Sequence, residues 1–312
     1  VSETKKLGIL IDILGSYFRS GEEKLFYCPY CKHHKAKLSL NVAKNVYKCW
    51  VCDNSGRDLR RLVRRFGTFL QKREWDKLSN RLDMSTIHEL FPEAEDYVEQ
   101  TTSLPDDFVS LTNGENNRPS LSVRSYLKTR GIGYDDVLRW KIGYCPSGEY
   151  KNRVIIPSFN MEGRVNYFTA RSYTNDYPKY KNPTLPRDIV FNQLYVDWDK
   201  DLVLVEGIFD AIVAGPNAIP ILGSDLRENS RLFQEIVKHD TPIYMALDPD
   251  MEKKAMKLIS SLLSYDAEIY KIDISPHNDV GEMSKEEFNV RKNEAVFLNS
   301  DNYLMYRVWN SL

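Results

Sequence analysis

The chain has no run of about 18 apolar residues, so it offers no membrane-spanning helix. Its first residues, VSETKKLGILIDIL, are too polar and too interrupted for a secretory signal. No G-x₄-GK[ST] occurs, which excludes a P-loop motor within these 312 residues. Low-complexity tracts and sustained repeats are absent, so fibrous, disordered and solenoid classes drop out. Cysteine is scarce, with five residues, and this speaks against a disulfide-stapled secreted domain. A reducing cytoplasm is the expected compartment, and no membrane partner is expected.

What is present is an ordinary globular composition, 42% hydrophobic and 28% charged, sufficient for two or three domains. The net charge of −1 hides an asymmetry. Residues 1–66 carry 14 Lys and Arg against 6 Asp and Glu, whereas the rest carries 29 against 38. A basic head on an acidic body points to a head that touches a polyanion.

The head opens with an amphipathic helix, with Leu7, Leu10, Ile11, Leu14 and Phe18 on one side. Four cysteines then form two pairs, Cys28/Cys31 and Cys49/Cys52, separated by 17 residues. C-x₂-C-x₁₇-C-x₂-C is the spacing of a closed four-thiolate zinc site, in which two knuckles complete a tetrahedron. His33 and His34 are then surplus as ligands and are expected to face solvent. AKLSLNV (36–42) and NVYKCW (45–50) read as two strands of a ribbon. GRDLRRLVRRF (56–66) reads as a helix, with Leu59, Leu62, Val63 and Phe66 on one face and Arg57, Arg60, Arg61 and Arg64 on the other. Those arginines, beside the ribbon's lysines, are candidate phosphate contacts, and Trp50, Tyr30 and Tyr47 are candidate stacking surfaces for unpaired bases. The sequence CPYC, KLSLNV, NVYKCWVCDNSGRDLRRLV resembles the zinc-binding domain of bacterial and phage DNA primases. Many members of that family have histidine as the second ligand where this chain has Cys31, and the swap keeps the metal.

Residues 67–104 read as polar helices and a connector, with an acidic stretch at 90–100. RVIIPSF (153–159) and RVNYFTARSY (164–173) then read as a β-hairpin around MEG, followed by PKYKNP (178–183). Arg153, Arg171, Lys179, Lys181 and Asn182 cluster here as candidates to hold nucleotide triphosphate or template backbone through charge-assisted bonds. Cys145 is unpaired and reads as a packed hydrophobe. YLKTRGI (126–132) and PKYKNP resemble the part of the primase core that precedes its metal site.

From residue 201, apolar strands alternate with helices, the pattern of a small parallel sheet covered on both faces. LVLVEGIFDA (202–211) and MALDPD (245–250) end on Glu206, Asp210, Asp248 and Asp250. Right-handed crossovers bring the carboxyl ends of such strands to one edge, where these acids make a hard-oxygen site suited to Mg²⁺ or Mn²⁺. The loop PHNDVGEM (276–283) adds Asp279 and Glu282. EGIFDA, LGSDL (222–226) and DPD resemble the glutamate motif, the second-strand loop and the Asp-x-Asp motif of the TOPRIM domain. NDVGE resembles that family's late acidic loop, with Gly281 where a carboxylate or amide is common.

The resemblance implies a multidomain α+β and α/β protein, in which a small β zinc ribbon precedes a mixed α/β core containing a TOPRIM parallel sheet. The implied domains are a zinc-binding head (1–66), a helical linker (67–104) and a catalytic core (105–312). Within the core, a basic subdomain covers 105–200, TOPRIM 201–284 and C-terminal helices 285–312. It further implies a nucleotidyltransferase making short RNA primers on single-stranded DNA from ribonucleoside triphosphates, with a replicative helicase acting in trans. Asp248, Asp250, Asp279 and Glu282 would bind catalytic cations, Glu206 would be a ligand or acid/base, and Asp210 a supporting carboxylate. The short tail after residue 284 fits a phage or mobile-element enzyme working in a bacterial host's cytoplasm. A TOPRIM nuclease and a non-catalytic DNA-binding recombination mediator are the alternatives.

Overall fold

The computed structural model describes residues 2–52, 54–56, 58–79, 100–114, 116–223, 226–265, 267–298 and 303. The chain divides into two compact units, Val1–Glu95 and Asp96–Leu312.

In the first unit, helix α1 (Ser2–Leu14) buries Ile9 and Leu10, with Leu7, Ile11 and Leu14 packed beside them. Phe18 does not extend that face as its spacing suggested. Gly15 adopts φ +85° and its N–H closes on the Ile11 carbonyl, which ends the helix. Phe18 therefore opens strand β1 (Phe18–Ser20) and is 55% exposed. An antiparallel sheet continues through β2 (Glu23–Phe26), β3 (Leu38–Asn41), β4 (Val46–Cys49) and β5 (Ser55–Gly56), in chain order. Gly56 is required by close approach, because a Cβ there would lie 2.6 Å from the Tyr47 ring.

Helix α2 (Arg60–Phe66) inserts Leu62 and Val63 into the same core as Leu59. Helix α3 (Phe69–Leu78) starts on a reciprocal cap between Thr68 and Gln71. It buries Trp75 among the residues of α1 and the sheet. The first part of the expected linker is thus core material of the head, while residues 80–99 lie outside the described residues.

The second unit contains two sheets. The first runs β6 (Val109–Ser110), β7 (Gly143–Cys145), β8 (Arg153–Phe159) and β9 (Val165–Ser172), antiparallel throughout. Helices α4 (Arg118–Lys128) and α5 (Tyr134–Arg139) lie between β6 and β7 in sequence, and Asn117 caps α4 through the Ser120 N–H. Cys145 is fully buried with Ile155, Phe168 and Ala170.

The second sheet has the order β11-β10-β12-β13-β14, where β10 is Leu202–Val205, β11 Ala218–Pro220, β12 Ile243–Ala246, β13 Ile269–Lys271 and β14 Val296–Leu298. The first four strands are parallel. Every residue of β10 and β12 is buried, as a sheet covered on both faces requires. Helices α6 (Ile208–Ala214), α7 (Arg231–His239) and α8 (Glu252–Ser264) connect them. In the segment after 284, expected to be helical, the described residues include helix α9 (Lys285–Asn293) and then strand β14 antiparallel to β13. Phe297 packs its ring edge against Tyr270 across that pair, which explains why this apolar tripeptide extends. Residues 299–302 and 304–312 lie outside the described residues.

Trp75 is the largest side chain in the head's core, so Trp75→Ala should cost that unit about 3–5 kcal/mol. A lowered first melting transition by calorimetry, with α1 more readily cut by protease, is the expected outcome.

Candidate functional site

The four cysteines converge as their spacing predicts. All their sulfur atoms lie within 4.8 Å of one another, with Cys28–Cys52 at 3.8 Å and Cys31–Cys49 at 3.9 Å. A tetrahedron of ~2.3 Å Zn–S bonds has S···S edges of about 3.8 Å, whereas a disulfide closes to about 2.05 Å. The backbone N–H groups of Cys31 and Tyr30 point at the Cys28 sulfur, and those of Cys52 and Val51 at the Cys49 sulfur. Burial pushes the Cys28 thiol up to about 12, whereas at Cys49 the N–H groups of Cys52 and Val51 outweigh burial and hold the thiol below its ordinary value. The donor set, its closure and its spacing fit structural zinc.

His34 is exposed and His33 half-exposed, their rings 4.2 Å apart. Trp50 is 66% exposed, with the Lys48 ammonium 4.8 Å from its ring centre. Tyr47 is buried and Tyr30 is half-buried edge-on to Phe66, so neither offers the open face expected of a stacking platform. The exposed pair Phe18 and Tyr27 was not foreseen, because β1 carries no strand-length signal. Arg60 departs from the expected solvent stripe. Its guanidinium makes a two-pronged pair with Asp76 on α3, at 2.6 and 3.1 Å, and is 14% exposed. Arg61 and Arg64 are half-buried, and Arg57 lies outside the described residues.

In the second unit the carboxyl ends of β10 and β12 carry Glu206 and Asp248. Because β10 and β12 pair in parallel with Val205 opposite Ala246, one residue separates Asp248 from the strand end and none separates Glu206. Glu206 Oε2 and Asp248 Oδ1 are both buried with no N–H or hydroxyl donor, and the proton that Asp248 retains is shared with Glu206. Asp210, in the first turn of α6, is 8% exposed. Its two oxygens accept from the Gly207 N–H and the Gly281 N–H, both at 2.8 Å. A Cβ on Gly281 would lie 3.0 Å from Asp210 Oδ1 and 3.2 Å from Asp279 Oδ1, so Asp279 stands beside Asp210.

Crowding of like charges shows in the protonation of these groups. Burial, then Asp210, Glu206 and Asp279, push the Asp248 carboxyl up to about 8. Burial and then Asp279 push Asp210 up to about 6, against the two glycine N–H groups. Buried carboxylates crowded at one edge, two of them sharing a proton, fit a hard divalent cation. Asp250 lies in the 3₁₀ turn Pro249–Met251 directly after β12. Glu282 turns elsewhere: exposed, it accepts from the Asn278 N–H at 2.9 Å and stands 3.9 Å from His277. Among the described residues the four thiolates are the one group of three or more metal-capable side chains close enough to share an ion, and the acids form a looser set.

The basic residues sort by partner. Arg153 is buried, and its guanidinium donates to the carbonyls of Pro178 (2.7 Å) and Lys179 (3.3 Å), so it braces the PKYKNP loop instead of presenting charge. Asn182 accepts from the Ala170 N–H, and Lys181 pairs with Glu149 at 3.2 Å. Lys179 is exposed. Arg171 donates to the Tyr180 hydroxyl at 2.7 Å, stacks within about 5 Å of both the Tyr180 and Phe209 rings, and leaves its buried Nε without a partner. Arg130 covers Phe209 from another side (5.0 Å) and bonds the Tyr126 hydroxyl. Sequence reading missed Arg130, although it lies inside YLKTRGI.

No family model matches the chain. Curated relatives do: DNA primase of Thermotoga maritima, 20% identical over 92% of this chain and 59% of its own, and DNA primase of Aquifex aeolicus, 24% identical over 92% and 66%. DNA primase of Listeria innocua is 22% identical over 73% of this chain and 46% of its own. Among solved structures, a DnaG primase catalytic domain bound to ssDNA superposes with a TM-score of 0.52 at 19% identity, covering 63% of this chain and 78% of that one. The Escherichia coli primase catalytic core gives 0.51 at 19% identity, covering 65% and 80%. The second unit thus has the fold of a primase catalytic core. These sequence relatives are bacterial DNA primases, and the chain spans about half the length of the curated relatives it matches. Among the described residues no helix is long and apolar enough to cross a membrane.

Two outcomes follow. The protein should carry one zinc per chain, released by a thiol-modifying reagent and lost in Cys49→Ser, as read by a metallochromic dye. For Asp248 and Asp210, the folded state holds protons that the unfolded chain releases near pH 4, so stability falls as pH rises through the folded values. Without divalent cation, melting of the second unit should therefore drop between about pH 5 and about pH 8.5. Asp248→Asn should flatten that drop, and Mg²⁺ should raise the melting temperature more at the higher pH.

Proposed function

We propose that the chain is a DNA primase, a DNA-directed RNA polymerase that makes short RNA primers on single-stranded DNA. The observation that carries this reading is the buried carboxylate pair Glu206 and Asp248, with no cationic side chain among the described residues to neutralise it, set at the carboxyl edge of a primase-like sheet. Relatives named DNA primase along 92% of the chain support the same reading, and the solved catalytic domain bound to ssDNA suggests the template.

Glu206, Asp248 and Asp250 would hold Mg²⁺ or Mn²⁺, with Asp279 beside them. Such ions, when bound, activate the attacking 3′-oxygen and stabilise charge on the leaving pyrophosphate. The chain's own residues do the remainder. Asp210 fixes the late acidic loop by accepting from Gly281, which places Asp279 next to Glu206's turn. Arg171, held between two aromatic rings, is the residue to hold the triphosphate through its guanidinium charge, and exposed Lys179 reaches triphosphate or template. Arg153 and Asn182 act through the loop they hold and touch no ligand. Glu282 has its own partners and is placed outside the cation set. In the zinc-bearing head, Trp50 with Lys48 offers the stacking surface for an unpaired base, and Arg61 and Arg64 lie on the helix that follows. The hosting cytoplasm supplies the ribonucleotides, and a helicase acts in trans.

Incubation with single-stranded DNA, ribonucleotides and Mg²⁺ or Mn²⁺ tests this, with products resolved by size. Short oligoribonucleotides should appear and vanish in Asp248→Ala, while Arg171→Ala should lose about 10²–10³-fold through the triphosphate contact. Cleaved DNA without RNA would favour a nuclease, and neither product a non-catalytic mediator. Zinc removal should weaken priming on DNA before it alters divalent-cation binding at the acidic edge; equal priming after verified zinc loss would overturn the role given to the head.

A further inference from the structure

The Asp279 charge acts on both Asp210 and Asp248, so the late loop is held where like charge repels it. Buried Ile274 and Val280 anchor that loop on either side of Asp279. Apolar contact is non-directional, however, and leaves the orientation of the segment between them to polar bonds. Two sets of such bonds flank Asp279. Two residues after it, the Gly281 N–H donates to Asp210. Two residues before it, His277 Nε2 stands 2.9 Å from Glu287 Oε1 on α9. The same oxygen accepts from Nε (3.1 Å) and Nη2 (2.9 Å) of Arg291, one turn further along the helix. Nη1 of Arg291 donates to the carbonyls of Asp273 (3.0 Å) and Ser275 (2.6 Å). Four of the five guanidinium N–H groups are thus spent on the loop and its brace. Lysine, a point charge without the fork, cannot repeat this set.

Such a clamp is only as rigid as α9, and α9 is fixed to the body of the second unit. Phe288 is fully buried, and Ser284 caps the helix through the Glu287 N–H at 3.1 Å. The Lys285 ammonium pairs with Asp136 of α5. Asp136 is itself buried, and its other oxygen accepts from the Gly133 N–H at 2.9 Å, in the turn that follows Arg130. A trans chain spans at most about 3.6 Å per residue, so Asp279 stays within about 7 Å of His277 and of Gly281. Fixing both neighbours therefore fixes where its carboxylate can reach. Among the described residues Arg291 bonds none of the acids of the edge, so its effect on them passes through the loop.

We infer that Arg291 is a positioning residue for cation binding, which holds the late loop through Glu287 and the Asp273 and Ser275 carbonyls so that Asp279 faces the acidic edge. The inference rests on the cation-binding reading of that edge. Sign separates positioning from charge: removing a nearby positive charge by itself strengthens cation binding, whereas losing the clamp weakens it. The test is Mn²⁺ binding to the zinc-loaded full chain, read by electron paramagnetic resonance without DNA or nucleotide. Arg291→Ala and Arg291→Lys should each weaken Mn²⁺ roughly tenfold, as removal of a group that orients a ligand does. In an Asp279→Ala background, itself weakened, neither should cost anything further, because the residue they act through is gone. Arg291→Lys carries the comparison where Arg291→Ala lowers the melting temperature, and its amide exchange should quicken over residues 276–283 but not in β10 or β12. Parent-like or tighter Mn²⁺ binding in both variants overturns the inference, as does an equal loss with and without Asp279. A parent that binds no Mn²⁺, or whose binding Asp248→Ala leaves intact, sinks the cation reading and the inference together. Binding lost in Asp248→Ala and Asp279→Ala but kept in the Arg291 variants sinks the inference alone.

Discussion

The second unit is organised by one carboxylate. Asp210 accepts from the N–H of Gly207 and from that of Gly281, which lies 71 residues further along the chain. The first bond shapes the turn between β10 and α6, and the second pins the late loop to that turn. Without this pin, Asp279 would be on a loop held away by the charge of Glu206 and Asp248. The contact is bought by burying a charge among like charges, which is why Asp210 and Asp248 are both pushed up. The fully buried strands β10 and β12 hold the ends that carry this repulsion.

The same helix that carries Asp210 couples the two sheets. Phe209 precedes it and is covered by Arg171 from β9 and by Arg130 from the turn after α4. An arginine stacked on a ring and tied to Tyr180 loses little further freedom when it meets a phosphate. Arg153 extends the arrangement one layer back, since its bonds to the Pro178 and Lys179 carbonyls fix the loop from which Tyr180 reaches Arg171. Cations near one another in the chain thus divide into those that hold the scaffold and those whose charge is presented.

That division marks the limit of what the sequence shows. Cysteine spacing, the alternating ribbon strands and the uninterrupted apolar runs LVLV and IYMA were legible, because each is a local pattern with one stable outcome. The convergence of Glu206 with Asp248 was legible too, because crossover handedness dictates it. The fate of a cation was not. Arg60 sits on the polar side of its helix by periodicity, yet α3 brings Asp76 against it. Trp75 belongs to a segment whose mean character is polar, and only the packing of α3 shows that one large side chain suffices to make it core. Phe18 follows the helical period, and Gly15 overrules it. Strand β14 has three residues, too few for a period to register, and is defined by its partner β13.

Gly281 brings these threads together. A carboxylate or amide is common there in the family that the motif resembles, and its absence suggests a weakened cation set. The geometry gives the position a different task. A side chain would enter within 3.0 Å of Asp210 Oδ1 and 3.2 Å of Asp279 Oδ1, and an acidic one would add like charge to an already crowded edge. With glycine, the backbone comes close enough to donate its N–H, and Asp279 is the loop's acid turned toward the edge, while Glu282 folds back onto Asn278. The late loop therefore contributes one carboxylate and one hydrogen-bond donor to the edge where the strand-end acids Glu206 and Asp248 are buried.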